Sequence, residues 1–423
     1  MRPFVNLRVA FFISGRKQFC FILSPDMDAQ ISAKKFWGLT GYQWTCILYI
    51  AVAVFCWQLK YFRHIDNNYI IFRTSYYHFK DHVNLYLLYP KEYYDVYIYG
   101  PLFTVFIAPL SLMPESWGFF FWEVGNAAAF LWAIHLLPFN NRAKTAILLL
   151  CAIEFANSSH YMQFNPIIAA IIIGSFMLMQ HEKLKYATLL TVAGTLMKIY
   201  PIVGLAFFFF SKHKVRYILW SAFWLILFLI LPAIISGPEF LMQTYKDWFA
   251  ALTSKNLTNQ SLTTGFDWCM MGAVRRAFQD SSIPNWPFLL IGAASVIGAL
   301  ARVKQYNSLK FRLQLMCSLL IMVVVFSTAS EHPTFIIATA GVVIYIMMQP
   351  KPFTTFNIIM LVLLLVVTGL GPSDAFPKPA RIWMQNHAIK AYIPSIMWFK
   401  IAWELLFNDF RGQVIPVLKG EVA

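Results

Sequence analysis

Residues 63–101 read RHIDNNYIIFRTSYYHFKDHVNLYLLYPKEYYDVYIYGP, a polar and aromatic window that follows the first strongly apolar run of the chain, 43–62. A run of about 20 apolar residues is what a helix needs to cross the hydrocarbon of a bilayer. The window is therefore where the chain first returns to water. It opens on Asp66, followed by Asn67, Asn68 and Tyr69. A carboxylate at the mouth of a membrane helix is costly unless it faces water or a partner, which makes Asp66 a candidate functional residue. The other reading is a solvated loop aspartate.

Outward from this window the composition agrees. Of 423 residues, 59% are hydrophobic, 17% aromatic and only 13% charged, with a mean hydropathy of +0.58. Soluble domains carry about 25% charged residues. The chain reads as an all-α polytopic membrane protein with no soluble domain. Its net charge of +15 comes from cations in short clusters between apolar runs. Such clusters orient helices, and nucleic acid is excluded as a partner. Six cysteines (Cys20, Cys46, Cys56, Cys151, Cys269, Cys317) contain no C-x-x-C. Neither a disulfide framework nor a zinc site is supported.

Apolar runs occur at 43–62, 116–137, 143–157, 165–181, 184–197, 201–211, 217–236, 284–301, 313–330, 333–348, 354–371 and 389–407. They predict about 12 spans, with 10 or 11 as alternatives. Lys198-Ile199-Tyr200-Pro201 breaks the pair 184–197 and 201–211 into a hairpin of short helices, since proline resists helix continuation. With the N-terminus inside, more than half of the chain's 34 cations fall on inside segments, as the positive-inside rule expects. The layout is then a cytoplasmic N-terminal segment 1–42, a transmembrane domain 43–407 and a cytoplasmic tail 408–423. Two long extracytoplasmic loops, 63–115 and 237–283, interrupt the domain. Met27 is an alternative start. Leu102 to Met113 is too short to span and reads as an interfacial helix on the outer face.

On this map the polar features gather outside: Asp66, Gln163, Asn165, Lys198, Tyr200, Asn259, Ser261, Glu331 and His332. Asp66 can act as a general base, taking the proton of an acceptor hydroxyl that attacks a sugar carbon. One carboxylate suffices when the leaving group is a phosphate, whereas glycoside hydrolysis uses two. Positions 67 and 68 are both Asn, so no partner acid for a metal adjoins Asp66, and Asp26-x-Asp28 lies in the N-terminal segment. No metal and no cofactor are expected. Lys198 can hold a phosphate as a point charge, with Tyr200 donating a hydrogen bond; its other reading is a snorkelling lysine. His332 can donate to the same phosphate or to a sugar hydroxyl, or be a satisfied interfacial histidine. Gln163 and Asn165 offer amides suited to sugar hydroxyls. Arg275 and Arg276 read as lipid-gathering or as an interface anchor.

Together these residues resemble glycosyltransferase family 87 over roughly residues 45–350. The resemblance rests on Asp66 after the first span, Tyr97-x-Tyr99-x-Pro101-Leu102 leading into a short helix with Pro109-Leu110, Gln163-x-Asn165, Lys198-Ile199-Tyr200-Pro201, Asn259-Gln260-Ser261 and the late His332. It implies the GT-C fold, an outer-face site, a polyprenyl-phosphate sugar donor and inversion at the sugar carbon. Members include polyprenol-phosphate-mannose-dependent α-mannosyltransferases. It also implies that Asp66 is the base, that His332 lies beside the donor phosphate, and that Tyr99, Asn259 and Ser261 contact substrate. The chain departs from the family pattern twice: the usual Pro-Pro is Gly100-Pro101, and the usual Gly-Gln is Met162-Gln163. The expected function is transfer of a hexose, such as mannose, to a glycolipid or glycan acceptor at the cytoplasmic membrane. The alternative is a non-catalytic transporter or flippase of lipid-linked sugars, which should show repeated halves and polar residues near the bilayer midplane.

Overall fold

Thr40 starts the first helix. Its hydroxyl accepts from the Gln43 N–H at 3.3 Å while its own N–H donates to the Gln43 side chain at 2.9 Å. This reciprocal cap contributes about 1 kcal/mol. The computed structural model describes residues 36–262 and 265–418. Cys20, Met27, the Asp26 and Asp28 pair and the rest of 1–35 lie outside the described residues, as do 419–423.

The chain runs through α1 (Gly41–Tyr61), α2 (Asn67–Lys80), α3 (Leu102–Ser111), α4 (Glu115–Leu136), α5 (Asn141–His160), α6 (Asn165–Gln180) and α7 (Leu184–Met197). A 3₁₀ helix, Tyr200–Phe210, then precedes α8 (Lys214–Ile230), α9 (Ala233–Asn259), α10 (Met270–Phe278), α11 (Trp286–Ala301) and α12 (Leu309–Val325). A 3₁₀ turn, His332–Phe335, leads into α13 (Ile336–Met347). The chain closes with α14 (Thr355–Leu363) and its π-helical end Leu364–Leu370, then α15 (Lys378–Asn386) and α16 (Tyr392–Phe407). No strand longer than an isolated bridge occurs among the described residues.

Two kinds of apolar helix separate inside from outside. α6, α13 and the stretch of α12 after Gln314 are almost wholly apolar, and all three helices are buried along nearly their whole length, which makes them the centre of the bundle. α8 and α11 are just as apolar, yet α8 buries only Tyr217 and α11 only Gly292 and Ala299. Ile218, Leu219, Phe223, Ile226 and Ile230 of α8 stand exposed. Water does not tolerate an apolar face of that extent on a free surface; hydrocarbon does. The chain is a helical membrane protein.

All twelve apolar runs of the sequence are helical, but helix count and span count differ. Among the described residues, α1 and α4 are long and apolar enough to cross a membrane; α8 with α9, bent by 88°, makes a third if counted as one span. The shorter apolar helices, from Leu102–Ser111 to Thr355–Leu370, have 10–17 residues, which at 1.5 Å per residue falls short of about 30 Å. The run 217–236 ends early, at Ile230, where Pro232 and the left-handed Gly237 before Pro238 turn the chain. The two long loops are also largely helical. Window 63–101 contains α2, whose buried Tyr69, Phe72, Ser75 and Phe79 recur every three to four residues. Region 237–283 holds most of α9 and all of α10. Helix α3 matches the expected short element, with Phe103, Thr104 and Ile107 buried against its neighbours.

Candidate functional site

Four chain breaks build the site. The first is the loop before α3. Gly100 N–H donates to the Met197 carbonyl at 3.0 Å, and Trp248 Nε1 donates to the Ile98 carbonyl at 3.1 Å. A Cβ on Gly100 would stand 2.0 Å from the Leu196 carbonyl oxygen and 2.9 Å from the Trp248 ring. The departure from Pro-Pro is thereby explained: this chain needs both the N–H and the missing Cβ. Gly100→Ala is expected to lower stability by about 1–3 kcal/mol, the cost of overpacking. A detergent-solubilised thermal melt checks it; an unchanged midpoint would remove the close approach from the account of this loop.

The second break ends α7. Lys198 takes an extended conformation, its N–H still bound to the Gly194 carbonyl. Its Nζ donates to Asn165 Oδ1 at 2.9 Å and lies 5.3 Å and 5.2 Å from the ring centres of Tyr99 and Tyr200. The third break, before α6, puts Met162 at φ 53°. That left-handed conformation is free for the family's usual glycine and costs a residue with a Cβ roughly 1 kcal/mol or more. It delivers Gln163, which accepts from Tyr99 OH at 3.5 Å and donates to Glu331 Oε1 at 3.1 Å. The fourth is 327–331, where Ser327 bonds Tyr200 OH at 3.1 Å and Thr328 reaches Asn256 on α9.

These breaks enclose a pocket of about 670 Å³, counted to its open mouth, lined among others by Asn68, Asp95, Tyr99, Gln163, Lys198, Tyr200, Lys255, Asn259, Phe266 and Glu331. Lys255 pairs with Asp95 at 3.4 Å and covers the Phe266 ring. Burial pulls the Lys198 ammonium down and pushes the Glu331 carboxyl up, while each one's charge draws the other back. Lys198 and Glu331 thus face the same space, beside the Lys255–Asp95 pair.

Of the residues singled out in the sequence, Tyr99, Gln163, Lys198, Tyr200 and Asn259 come together here. Asn165 is fully buried and touches the pocket through Lys198. Asp66, His332 and Ser261 do not line it; Ser261 is exposed beyond the end of α9. Asp66 heads α2 two residues before Asn68, is 8% exposed and makes no side-chain cap bond. Asn68 links the two places: it lines the pocket and donates to the Tyr161 carbonyl, and the Tyr161 ring stands against His332. Arg275 and Arg276 are corrected: both are buried and hold a loop. Arg275 pairs with Asp267 at 2.6 Å, and Arg276 bonds the Asp267 and Phe266 carbonyls. Buried in protein, they cannot gather lipid; they set Phe266 against the pocket.

A pocket built from these breaks, in a membrane helical bundle, defines a membrane protein with a polar site at helix ends. Residues 97–328, more than half of the chain, match the model of glycosyltransferase family 87. The chain belongs to glycosyltransferase family 87. No curated protein and no solved structure matches it. The match takes in Tyr99, Gln163, Asn165, Lys198, Tyr200, Asn259 and Ser261; Asp66, Glu331 and His332 fall outside it. Family membership makes the chain a transferase rather than a carrier of lipid-linked sugars.

Proposed function

We propose that this glycosyltransferase moves a hexose, with mannose as the sugar the resemblance implies, from a polyprenyl-phosphate carrier to a glycolipid or glycan acceptor outside the cytoplasmic membrane. The acceptor oxygen forms its bond to the anomeric carbon as the carbon–oxygen bond to the lipid phosphate breaks. The hydroxyl proton goes to Asp66, the electron pair leaves with the phosphate, and attack opposite the leaving group inverts the centre. Lys198 neutralises charge gathering on the departing phosphate, where a preset cation is worth most. No metal is required, because a phosphate leaves without an acid and Asn67 and Asn68 give Asp66 no partner carboxylate.

The observation that carries this reading is the setting of Lys198. On one side lies the polar pocket. On the other, an apolar groove of about 1180 Å³, counted to its open face, follows the hairpin that ends in Lys198, lined by Thr195, Leu196, Ile202, Leu205, Phe208 and Leu225 among others. A charged head next to an apolar channel suits a lipid phosphate.

The test offers purified protein polyprenyl-phosphate sugars and nucleotide sugars separately, with cell-envelope lipids and a strong chelator present. Consumption of the lipid-linked sugar, with an inverted product, is expected. Consumption of the nucleotide sugar alone, or activity that needs an added divalent cation, would overturn the proposal. Orientation is checked by cysteines placed at the exposed Leu88 and Leu257 (69% and 67% exposed). A membrane-impermeant thiol reagent should label both in intact cells; labelling only after permeabilisation would put the site on the other face.

A further inference from the structure

Three ionisable side chains from distant parts of the chain meet behind Tyr161. Glu154 on α5 and Lys390 in the 3₁₀ turn Ile389–Ala391 are each 1% exposed. Lys390 Nζ lies 2.7 Å from Glu154 Oε1 and 3.0 Å from His332 Nδ1. The lysine is fixed from several sides. Its carbonyl accepts from the buried Thr368 hydroxyl at 3.3 Å, and its ammonium lies 5.3 Å from the centre of the Phe335 ring. The His332 imidazole stands nearly perpendicular to Tyr161 and Trp268, with ring centres 5.8 Å and 6.0 Å away.

An ammonium group has three donors and no acceptor. The short contact at Nδ1 therefore uses the lone pair of that nitrogen, and the single ring proton sits on Nε2. A second proton would place an imidazolium 3.0 Å from the ammonium. Burial, Lys390 and His160 all pull the His332 imidazole well below the usual histidine range. The other groups about His332 are Glu331, next to it in the chain, and Lys60, which reaches the ring only through its 3.0 Å contact with His160. Glu154 balances the Lys390 charge, as a buried cation requires.

We propose that Lys390 and Glu154 are positioning residues that lock His332 in its Nε2–H tautomer, so that it presents a neutral hydrogen-bond donor to an oxygen of the substrate. This rests on the reading of His332 as a ligand of the donor phosphate or of a sugar hydroxyl. A locked, neutral donor keeps its bond across the range, about pH 5 to 8, in which a free histidine changes charge. An imidazole without the lock would alternate between its two neutral tautomers.

The experiment uses the full chain with ¹⁵N-labelled histidine in nanodiscs; the His332 signals are those lost in His332→Gln. In the wild type, an unprotonated Nδ1 and a protonated Nε2 are expected throughout about pH 5 to 8. Lys390→Met alone would leave Glu154 buried without its partner, so the test variant is Lys390→Met with Glu154→Gln. Its His332 should show mixed tautomers, with burial still holding the ring neutral. Its kcat/KM should fall at least about 10-fold, within the ~100-fold that misplacing a reacting contact can cost. Lys390→Arg keeps a donor-only cation and should keep the tautomer. A protonated Nδ1 in the wild type, or an unchanged tautomer in the double variant, would overturn the proposal. The nuclear-resonance result is independent of turnover. If the wild type transfers no sugar, the functional reading fails while the tautomer is still decided.

Discussion

Asp66→Asn is expected to lower the turnover of sugar transfer by at least about 100-fold, the lower end of what a positioned general base contributes, and to leave donor binding and thermal stability near wild type. The substitution is nearly isosteric, and the carboxylate it replaces makes no cap bond to α2. Burial pushes the Asp66 carboxyl above the usual aspartate range, opposed by a backbone hydrogen bond and by His64. A base works only when ionised, so kcat/KM falls as pH drops through that raised value. The acid limb should therefore lie above the ordinary aspartate range and vanish in Asp66→Asn. Asp66→Glu should recover little, since displacing the carboxylate by about 1 Å can cost ~100-fold. Asp81→Asn and Glu92→Gln are mild controls; Glu92 is engaged with His78 at 3.0 Å. The informative rivals are Asp95→Asn and Glu331→Gln, because those carboxylates line the pocket and Asp66 does not. If Glu331→Gln takes the 100-fold loss and Asp66→Asn transfers sugar normally, the base is Glu331.

How much of this could be read from the residues differs by element, for physical reasons. The apolar runs are helices because hydropathy over 10–20 residues is a local property. The hairpin tip at Lys198 was legible for the same kind of reason: proline at 201 forbids a continuous helix. Helix α2 is hidden by its overall polarity, which reads as loop; the spacing of Tyr69, Phe72 and Phe79 carries the signal. The pocket's other wall could not be read locally. Gln163 meets Glu331 across 168 positions, and Lys255 meets Asp95 across 160. Lys390 had a usable signal: a cation at the edge of an apolar run needs a buried partner, and Glu154, the one acid of run 143–157, is that partner. The two departures from the family pattern also become readable only in space. Gly100 meets the end of α7, and Met162 sits in a left-handed turn.

Lys198→Met is expected to weaken binding of the polyprenyl-phosphate donor by about 10- to 100-fold, the effect of removing one charge-assisted contact of ~1.5–3 kcal/mol. The methionine keeps an unbranched apolar side chain and removes the ammonium that lies over Tyr99 and Tyr200. Two protein groups lose a partner: Asn165 Oδ1, now 2.9 Å from Nζ, and Glu331. The sign for Glu331 is clear. Lys198 draws its carboxyl down against burial, so without the lysine the carboxyl moves further up and takes a proton. The variant therefore leaves no buried unpaired carboxylate, and folding is retained. Glu331→Gln removes the pocket carboxyl that interacts with Lys198, so the donor phosphate no longer shares that lysine and should bind more tightly. Lys198→Arg keeps the charge on a longer, planar head that replaces a point contact by a fork, and should recover binding only in part. Titration with a short-chain polyprenyl phosphate, read by tryptophan fluorescence or calorimetry, separates these cases. Unchanged donor affinity in Lys198→Met would return this lysine to a snorkelling cation and take the phosphate away from the tip of the hairpin.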